Sequence, residues 1–449
     1  MKTSFLKKGF FAITMAVISM STTAQNTDST KTPEDGYQKF RFGGYGEMLA
    51  SWKNYGLNRW SGSTNGNTEI NHAEISLPRF VLALDYKFSE KWILGAEIEF
   101  EAGGTGMAME LEAGSGSENG EYETEIEKGG EVALEQFHIT RKFIKEFNVK
   151  VGHLILPVGL TNTHHEPINF FTTFRPEGAT TIMPCTWHET GLEFFGKFGS
   201  NFSKFEYQAQ IVAGQNPLGF SRYNWIKGGR QGLFESDNFT RPAYTFRLDY
   251  KGVKGLRLGY SMYYCYDAGK NSDRLSTFEP YDPINISIFS FDAQYKNDYI
   301  TFRGNFLQGG LTEVAAVDKV IRTYSSKSGY NRSPNVAEKA LNYNFELGVN
   351  LKNVFSGGDK FPVLYPFAHY EYYNPQEKGI ALQVMDDRCQ VSYWTFGLNY
   401  FALPNLVIKA DYTCRRIGTN EMFQNTKTNY NNENEFCISI GYVGWFCQK

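Results

Sequence analysis

The sequence predicts an all-β chain: a transmembrane antiparallel β-barrel of sixteen strands, with short turns at one end and long loops at the other. Three observations predict it. Aromatic residues make up 16% of the chain while mean hydropathy is negative, at -0.42. Sixteen segments between positions 39 and 446 alternate apolar and polar residues. The connections between them alternate between long and short. In a membrane barrel, lipid-facing and lumen-facing residues alternate, so mean hydropathy stays polar while interfacial girdles enrich aromatics; turns at the periplasmic end are short and the opposite loops long. A soluble sandwich has no reason to sort its loops by length. No stretch after the first 24 residues has the roughly 18 unbroken apolar residues of a membrane helix.

The first 24 residues read as a secretory leader. Lys2, Lys7 and Lys8 precede an apolar run, Gly9 to Met20, and Thr22-Thr23-Ala24 supplies small residues for cleavage before Gln25. Residues 25–38 are polar and read as a periplasmic tail. The strands follow at 39–52, 70–87, 91–103, 131–144, 147–156, 188–199, 204–214, 241–251, 255–267, 286–296, 299–309, 339–352, 364–373, 391–401, 406–416 and 434–446. Residues 447–449 read as a short extension beyond the barrel. Alternation slips between Leu77 and Phe80, so Pro78 is expected to mark a bulge.

Charge assigns the faces. Burying Arg or Lys at mid-bilayer on the lipid side costs about 2–4 kcal/mol, so the charged parity is the interior. This gives Glu97, Glu99, Glu206, Arg247, Asp249, Arg257, Arg303, Glu346, Lys409 and Asp411 as lumen-lining residues. Leu256, Leu258, Tyr260, Met262 and Tyr264 face out, as do Leu341, Tyr343, Phe345, Leu347, Val349 and Leu351. Sixteen strands enclose more space than side chains fill, which makes the interior an aqueous channel.

Residues 157–187 are the candidate functional element. The stretch is long, without strand or helix pattern, and too apolar for a disordered linker. Its centre, Ile168 to Phe174, would be costly to leave in water, and packing it on the inner wall resolves that. The loop then constricts the lumen, and His164, His165, Glu166, Arg175, Glu177 and His188 line the remaining gap. The competing placement is an outer cap or a contact between barrels.

Other chemistry finds little support. Net charge is -3, and removing the three leader lysines takes -3 to -6, so nucleic acid is not an expected partner. The six cysteines form no framework: Cys414 and Cys437 lie on adjacent strands with opposite parity. No metal or cofactor is expected, because His164-His165-Glu166 are neighbours on an irregular loop without ligand geometry. No Gly-x-Ser-x-Gly or HExxH motif occurs. The glutamates between Gly104 and Gly130 read as a solvated surface loop, or as a cation-attracting rim at the lipopolysaccharide surface. A surface receptor or adhesin using the long loops, or an outer-membrane hydrolase, are the alternatives to a channel.

Two motifs carry a resemblance. Leu134-Glu135-Gln136-Phe137-His138-Ile139, followed by Val151-Gly152-His153-Leu154-Ile155-Leu156-Pro157-Val158-Gly159-Leu160, resembles the phosphate-selective porin family of the O and P type, as does the block from Arg79 to Phe100. The resemblance implies a sixteen-stranded porin, homotrimeric, in the outer membrane of a Gram-negative bacterium, giving passive diffusion to small hydrophilic solutes or ions. Phosphate specificity is not carried over. Family members that select phosphate use arginines along the lumen, whereas Pro157 to Trp187 holds one Arg, no Lys and two Glu, and the inward charges mix signs. A mixed wall is expected to select charge weakly.

Overall fold

The computed structural model describes residues 39–54, 71–104, 109–111, 124–126, 132–184, 186–231, 237–272, 275, 281–325, 334–355, 361–381, 383–418 and 432–448. The leader, the tail, Cys185 and most of the acidic stretch after Gly104 lie outside the described residues. The strands are β1 (Phe40–Asn54), β2 (Asn71–Lys87), β3 (Trp92–Glu101), the short hairpin β4 (Met109–Leu111) and β5 (Thr124–Ile126), β6 (Val132–Ile144), β7 (Phe147–Ile155), β8 (His188–Phe198), β9 (Phe205–Val212), β10 (Ala243–Tyr250), β11 (Leu256–Cys265), β12 (Ile286–Lys296), β13 (Ile300–Leu311), β14 (Lys339–Val349), β15 (Val363–Lys378), β16 (Val391–Leu403), β17 (Leu406–Ile417) and β18 (Asn432–Gln448). Apart from the hairpin, they form one closed barrel of sixteen antiparallel strands, with β1 paired to β18. Closure removes every unpaired sheet edge, which is what hydrocarbon demands of a spanning sheet.

Alternation decides the two faces. On β10, Tyr244 is 48% exposed on the outer surface while Arg247 is 1% exposed inside. Phe345 and Leu347 on β14 face out, and Asn342, Asn344 and Glu346, on the alternate positions, are buried. The outer surface carries Phe289, Phe291, Phe306, Trp394, Phe396, Tyr412, Phe436 and Ile440, an apolar face suited to lipid. Among the described residues, no helix is long and apolar enough to cross a membrane.

The β1–β2 register shifts between Glu47 and Leu49, so Met48 faces the Leu77-Pro78 step. This bulge returns both Leu77 and Phe80 to the outer face. Most strand ends differ from the alternation reading by a residue or two, and three differences have a structural reason. β15 continues to Lys378. Leu351 ends in a short helix, Leu351–Val354, rather than on β14. β18 runs past 446, with Phe42 opposite Cys447 and Arg41 opposite Gln448. A second bulge, between Phe42 and Gly43, skips Phe446 and lets its ring pack on Phe42, 5.9 Å away. Period-two reading stops at such a slip, whereas the ladder continues.

The loop end of the barrel is filled by a hydrophobic core. Trp225 and Ile226, Leu275 and Ile284, and Val314, Val317, Val320 and Ile321 pack there with Trp187, Tyr263, Ile288 and Leu307. The last four loop residues belong to a helix, Val314–Ser325, whose i, i+3, i+6, i+7 valines and isoleucine form its buried face.

Candidate functional site

The stretch from Pro157 to Trp187 turns into the barrel and is held there by inward-facing residues. The turn begins at Gly159, whose φ of +73° suits glycine. Its N–H donates to Ser261 Oγ (3.0 Å), the next amide, Leu160, to Asn305 Oδ1 (3.1 Å), and Arg247 Nη1 donates to the Gly159 carbonyl (3.3 Å). Asn162 staples the two ends of the loop: Nδ2 donates to the carbonyls of Leu156 (2.7 Å) and Trp187 (3.1 Å), and Oδ1 accepts from the Trp187 amide (2.6 Å).

The apolar centre then crosses to the far wall. Phe170 and Phe171 are buried, and the Phe171 ring stacks on Phe367 at 5.5 Å beneath the Arg303 guanidinium. Loop backbone needs partners in such a site, and wall charges supply them. Glu346 Oε2 accepts from the Phe171 amide (3.1 Å), and Asp411 Oδ2 from that of Thr173 (2.5 Å). Lys409 Nζ donates to the carbonyls of Phe170 and Thr172, both at 2.9 Å, and lies over the Phe170 ring. Glu371 accepts from the amides of Glu177 (2.8 Å) and Gly178 (2.9 Å) at the start of the short helix Glu177–Ile182. Behind it, fully buried His369 lies 3.6 Å from Glu346 and 3.9 Å from Glu371.

On the opposite wall, Arg79 Nη2 donates to the His165 carbonyl (3.0 Å) and pairs with Glu47 (2.8 Å). His165 Nε2 lies 3.4 Å from Glu135, and its Nδ1 donates to the Asn162 carbonyl (3.0 Å). Pro167 rests on β18, where a side chain on Gly441 would begin 2.8 Å from the Pro167 Cβ. The loop thus reaches walls on both sides of the lumen.

Two cavities flank it. The turn-side cavity, about 390 Å³, is bordered by Glu97, His164, His165, Glu166, Glu206, Asp249 and Arg257. The loop-side cavity, about 470 Å³, is bordered by Arg175, Glu177, Asp411, Arg79 and Phe174 among others. The Arg79–His165 contact joins residues of the two linings.

Of the residues marked from sequence, His164, His165, Glu166, Arg175 and Glu177 border these cavities, as do Glu97, Glu206, Asp249, Arg257 and Asp411. Glu99, Arg247, Arg303, Glu346 and Lys409 face inward but border neither. Arg247 pairs with Asp249 and Asp292, and Arg303 with Glu346. His188 opens β8, away from both cavities, against His153 and Arg230. Among the described residues, no group of three or more His, Cys, Asp or Glu is placed to hold a metal ion. The described cysteines, Cys265, Cys389, Cys414, Cys437 and Cys447, are free thiols.

Sequence reading missed Asn162, Glu135, Arg79 and Glu371. All but Asn162 sit on inward parity in their strands, so the signal was present. What parity lacks is which inward residue the loop will touch.

His164 yields a pH prediction. Burial, then the nearby Arg257, hold its imidazole well below the ordinary value. Arg257 Nη1 donates to its Nε2 at 2.6 Å, which only a neutral ring can accept. Below about pH 6.5 a released loop takes up a proton that the docked loop cannot hold, so docking is weakened as pH falls, by at most about 1.4 kcal/mol per unit. Conductance of the reconstituted barrel is expected to rise on acidification from about pH 6.5, with the rise flattened in His164→Gln. An unchanged titration in that variant would refute the assignment.

No protein-family model matches the sequence. An uncharacterized protein of Aquifex aeolicus (strain VF5) is 27% identical over 346 residues, 75% of this chain and 70% of that protein. The outer membrane channel DcaP of Acinetobacter baumannii superposes with a TM-score of 0.52 at 10% identity, over 90% of this chain and 97% of that one. OprB of Pseudomonas putida gives 0.52 at 11% identity, over 90% and 94%. OmpF of Salmonella typhi gives 0.51 at 11%, over 90% and 97%. At these identities the likeness is one of fold: the closed sixteen-stranded barrel of this chain has the architecture of outer-membrane porins and channels.

Proposed function

We propose that this chain is an outer-membrane porin of a Gram-negative bacterium, giving passive diffusion to small hydrophilic solutes or ions with weak charge selectivity. The observation that carries the reading is a long loop hydrogen-bonded across the interior of a closed barrel, with a cavity bordered by charged side chains on each side. Weak selectivity follows from pairing of charge. In the turn-side cavity Lys150 pairs with Glu193, Lys197 with Glu206, and Arg257 with Asp249. Paired charges leave little net field to sort ions. On this reading residues 157–187 are the constriction, residues 1–24 a leader removed on export, and the kinship with the O and P type porins extends to fold and transport rather than to phosphate choice. A homotrimer is proposed on that resemblance.

The packed core at the loop end favours a second reading, a receptor whose loops form a binding platform. One experiment separates the two: single-channel conductance and reversal potential of the purified protein in a planar bilayer under a KCl gradient. Open channels with a small reversal potential support the porin. Strong ion selectivity contradicts the paired wall, and absence of conductance overturns the porin in favour of the receptor.

A further inference from the structure

The charges around the two cavities cancel unevenly. On the turn side, Lys150, Lys197 and Arg257 are matched by Glu193, Glu206 and Asp249. Glu97 and Glu166 border the same cavity without an ion pair among the described residues. Each accepts from a neutral amide instead, Glu97 from Gln136 and Glu166 from Asn169 Nδ2 at 2.6 Å. On the loop side, Arg79 pairs with Glu47, Arg415 with Glu177, and Lys53 lies 3.5 Å from Glu435. Glu101 borders that cavity without an ion pair among the described residues. Asp411 has none either, but the Lys409 ammonium lies behind the wall two residues along the same strand. Among the described lining residues, the cation without an ion pair is Arg175, which donates to Thr186 Oγ1 at 3.0 Å. Three carboxylates, Glu97, Glu101 and Glu166, thus stand against one guanidinium.

Two of the three belong to β3, the strand that borders both cavities. Glu97 reaches the turn-side cavity and Glu101 the loop-side one, with buried Glu99 on the inward position between them. Alternate residues on a strand lie about 7 Å apart, so the three carboxylates form a ladder past the loop. Neither Glu97 nor Glu99 has a cationic cross-strand neighbour. On β2, Ala83 lies opposite Glu97 and Val81 opposite Glu99; on β6 the partners are Gln136 and Ala133. Arg79 lies opposite Glu101, but its Nε and Nη2 both donate to Glu47.

The shape of the interior leads a solute to this ladder. The turn-side cavity lies against β3 and β6 to β11, the loop-side one against β16 to β18 and β1 to β3. On β11 to β13 the loop end is filled, with Trp225 packed among Tyr263, Ile288 and Leu307, all fully buried. A solute passing between the cavities therefore turns along β3. Fixed carboxylates act there through their field. In a narrow lumen with low-dielectric walls, charge of one sign concentrates counter-ions and excludes co-ions without needing contact.

We propose that small monovalent cations cross the constriction along β3, from Glu101 past Glu99 to Glu97 and Glu166, and that these carboxylates make the pore prefer cations to anions. The inference gives the weak selectivity its sign and rests on the porin reading. The experiment is the reversal potential of the purified protein in a planar bilayer under a KCl gradient. Potassium is expected to be about threefold more permeant than chloride. Glu97→Gln, Glu101→Gln and Glu166→Gln each keep a hydrogen-bonding side chain of the same size. Each is expected to lower the ratio, and the triple variant to bring it to about one. Glu90→Gln, on the exposed turn between β2 and β3, is expected to leave it unchanged, because solvent and salt screen that charge. Single-channel conductance in the same membranes reports that each variant has folded into a barrel. Equal permeability or anion preference in the wild type, an unchanged ratio in the triple variant, or an equal shift in Glu90→Gln overturns the ladder and leaves the porin reading in place. Absence of conductance in the wild type overturns both.

Discussion

Replacing Glu371 with alanine is expected to release the third long loop from the wall. This carboxylate accepts the amides of Glu177 and Gly178, the Asn342 Nδ2 at 2.7 Å and the Tyr393 hydroxyl, and lies beside His369. Its removal strands the Gly178 amide and the Tyr393 hydroxyl, leaves the Glu177 amide only the Tyr393 oxygen and Asn342 Nδ2 only the Tyr372 carbonyl, and opens an empty space beside the His369 imidazole. Breaking a buried, hydrogen-bonded charge network by removing one partner costs about 3–5 kcal/mol. The barrel itself, closed by sixteen strand pairings, is expected to survive, and the loss falls on the loop. Single-channel conductance should rise several-fold, and a protease should cut between His164 and Met183 where the wild type resists. A variant with wild-type conductance and wild-type protection would show that Glu371 does not hold the loop.

Lys409→Met is expected to act at the other anchor. Lys409 is 1% exposed, and its ammonium donates to two loop carbonyls while lying 4.1 Å from the Phe170 ring centroid. Methionine fills a similar volume but offers no donor, so the carbonyls of Phe170 and Thr172 are left buried and unbonded. The expected cost is again about 3–5 kcal/mol, with conductance raised and the loop more open to protease. Asp411, two residues along β17, binds the next loop amide, so the two changes are coupled. A double-mutant cycle with Asp411→Asn should therefore depart from additivity by about 0.5 kcal/mol or more. Strict additivity, with an unchanged pore, would assign Lys409 to wall stability alone.

These anchors show what was legible beforehand and what was not. Strand positions could be read because side chains alternate with a period of two and charge cannot face hydrocarbon. Arg247, Glu346, Lys409 and Asp411 have the inward parity for that reason alone, and the structure buries all four side chains. The helix Val314–Ser325 carries its stripe of valines and isoleucine at helical spacing, which has no period-two signature. The loop's path left no comparable trace. The Thr173 amide meets Asp411 across 238 positions of sequence, and the Glu177 amide meets Glu371 across 194. Nothing periodic connects such residues.

The sequence by itself determined the barrel, its strand number and its two faces, because local alternation and the cost of burying charge in lipid act one residue at a time. Tertiary structure alone decided which inward charges meet solvent and which hold the loop. Closure brings distant strands around a shared interior, and there each loop amide and carbonyl takes a partner from the wall. The loop brings its own charges to the space that remains: Glu166 borders the turn-side cavity, and Arg175 and Glu177 the loop-side one.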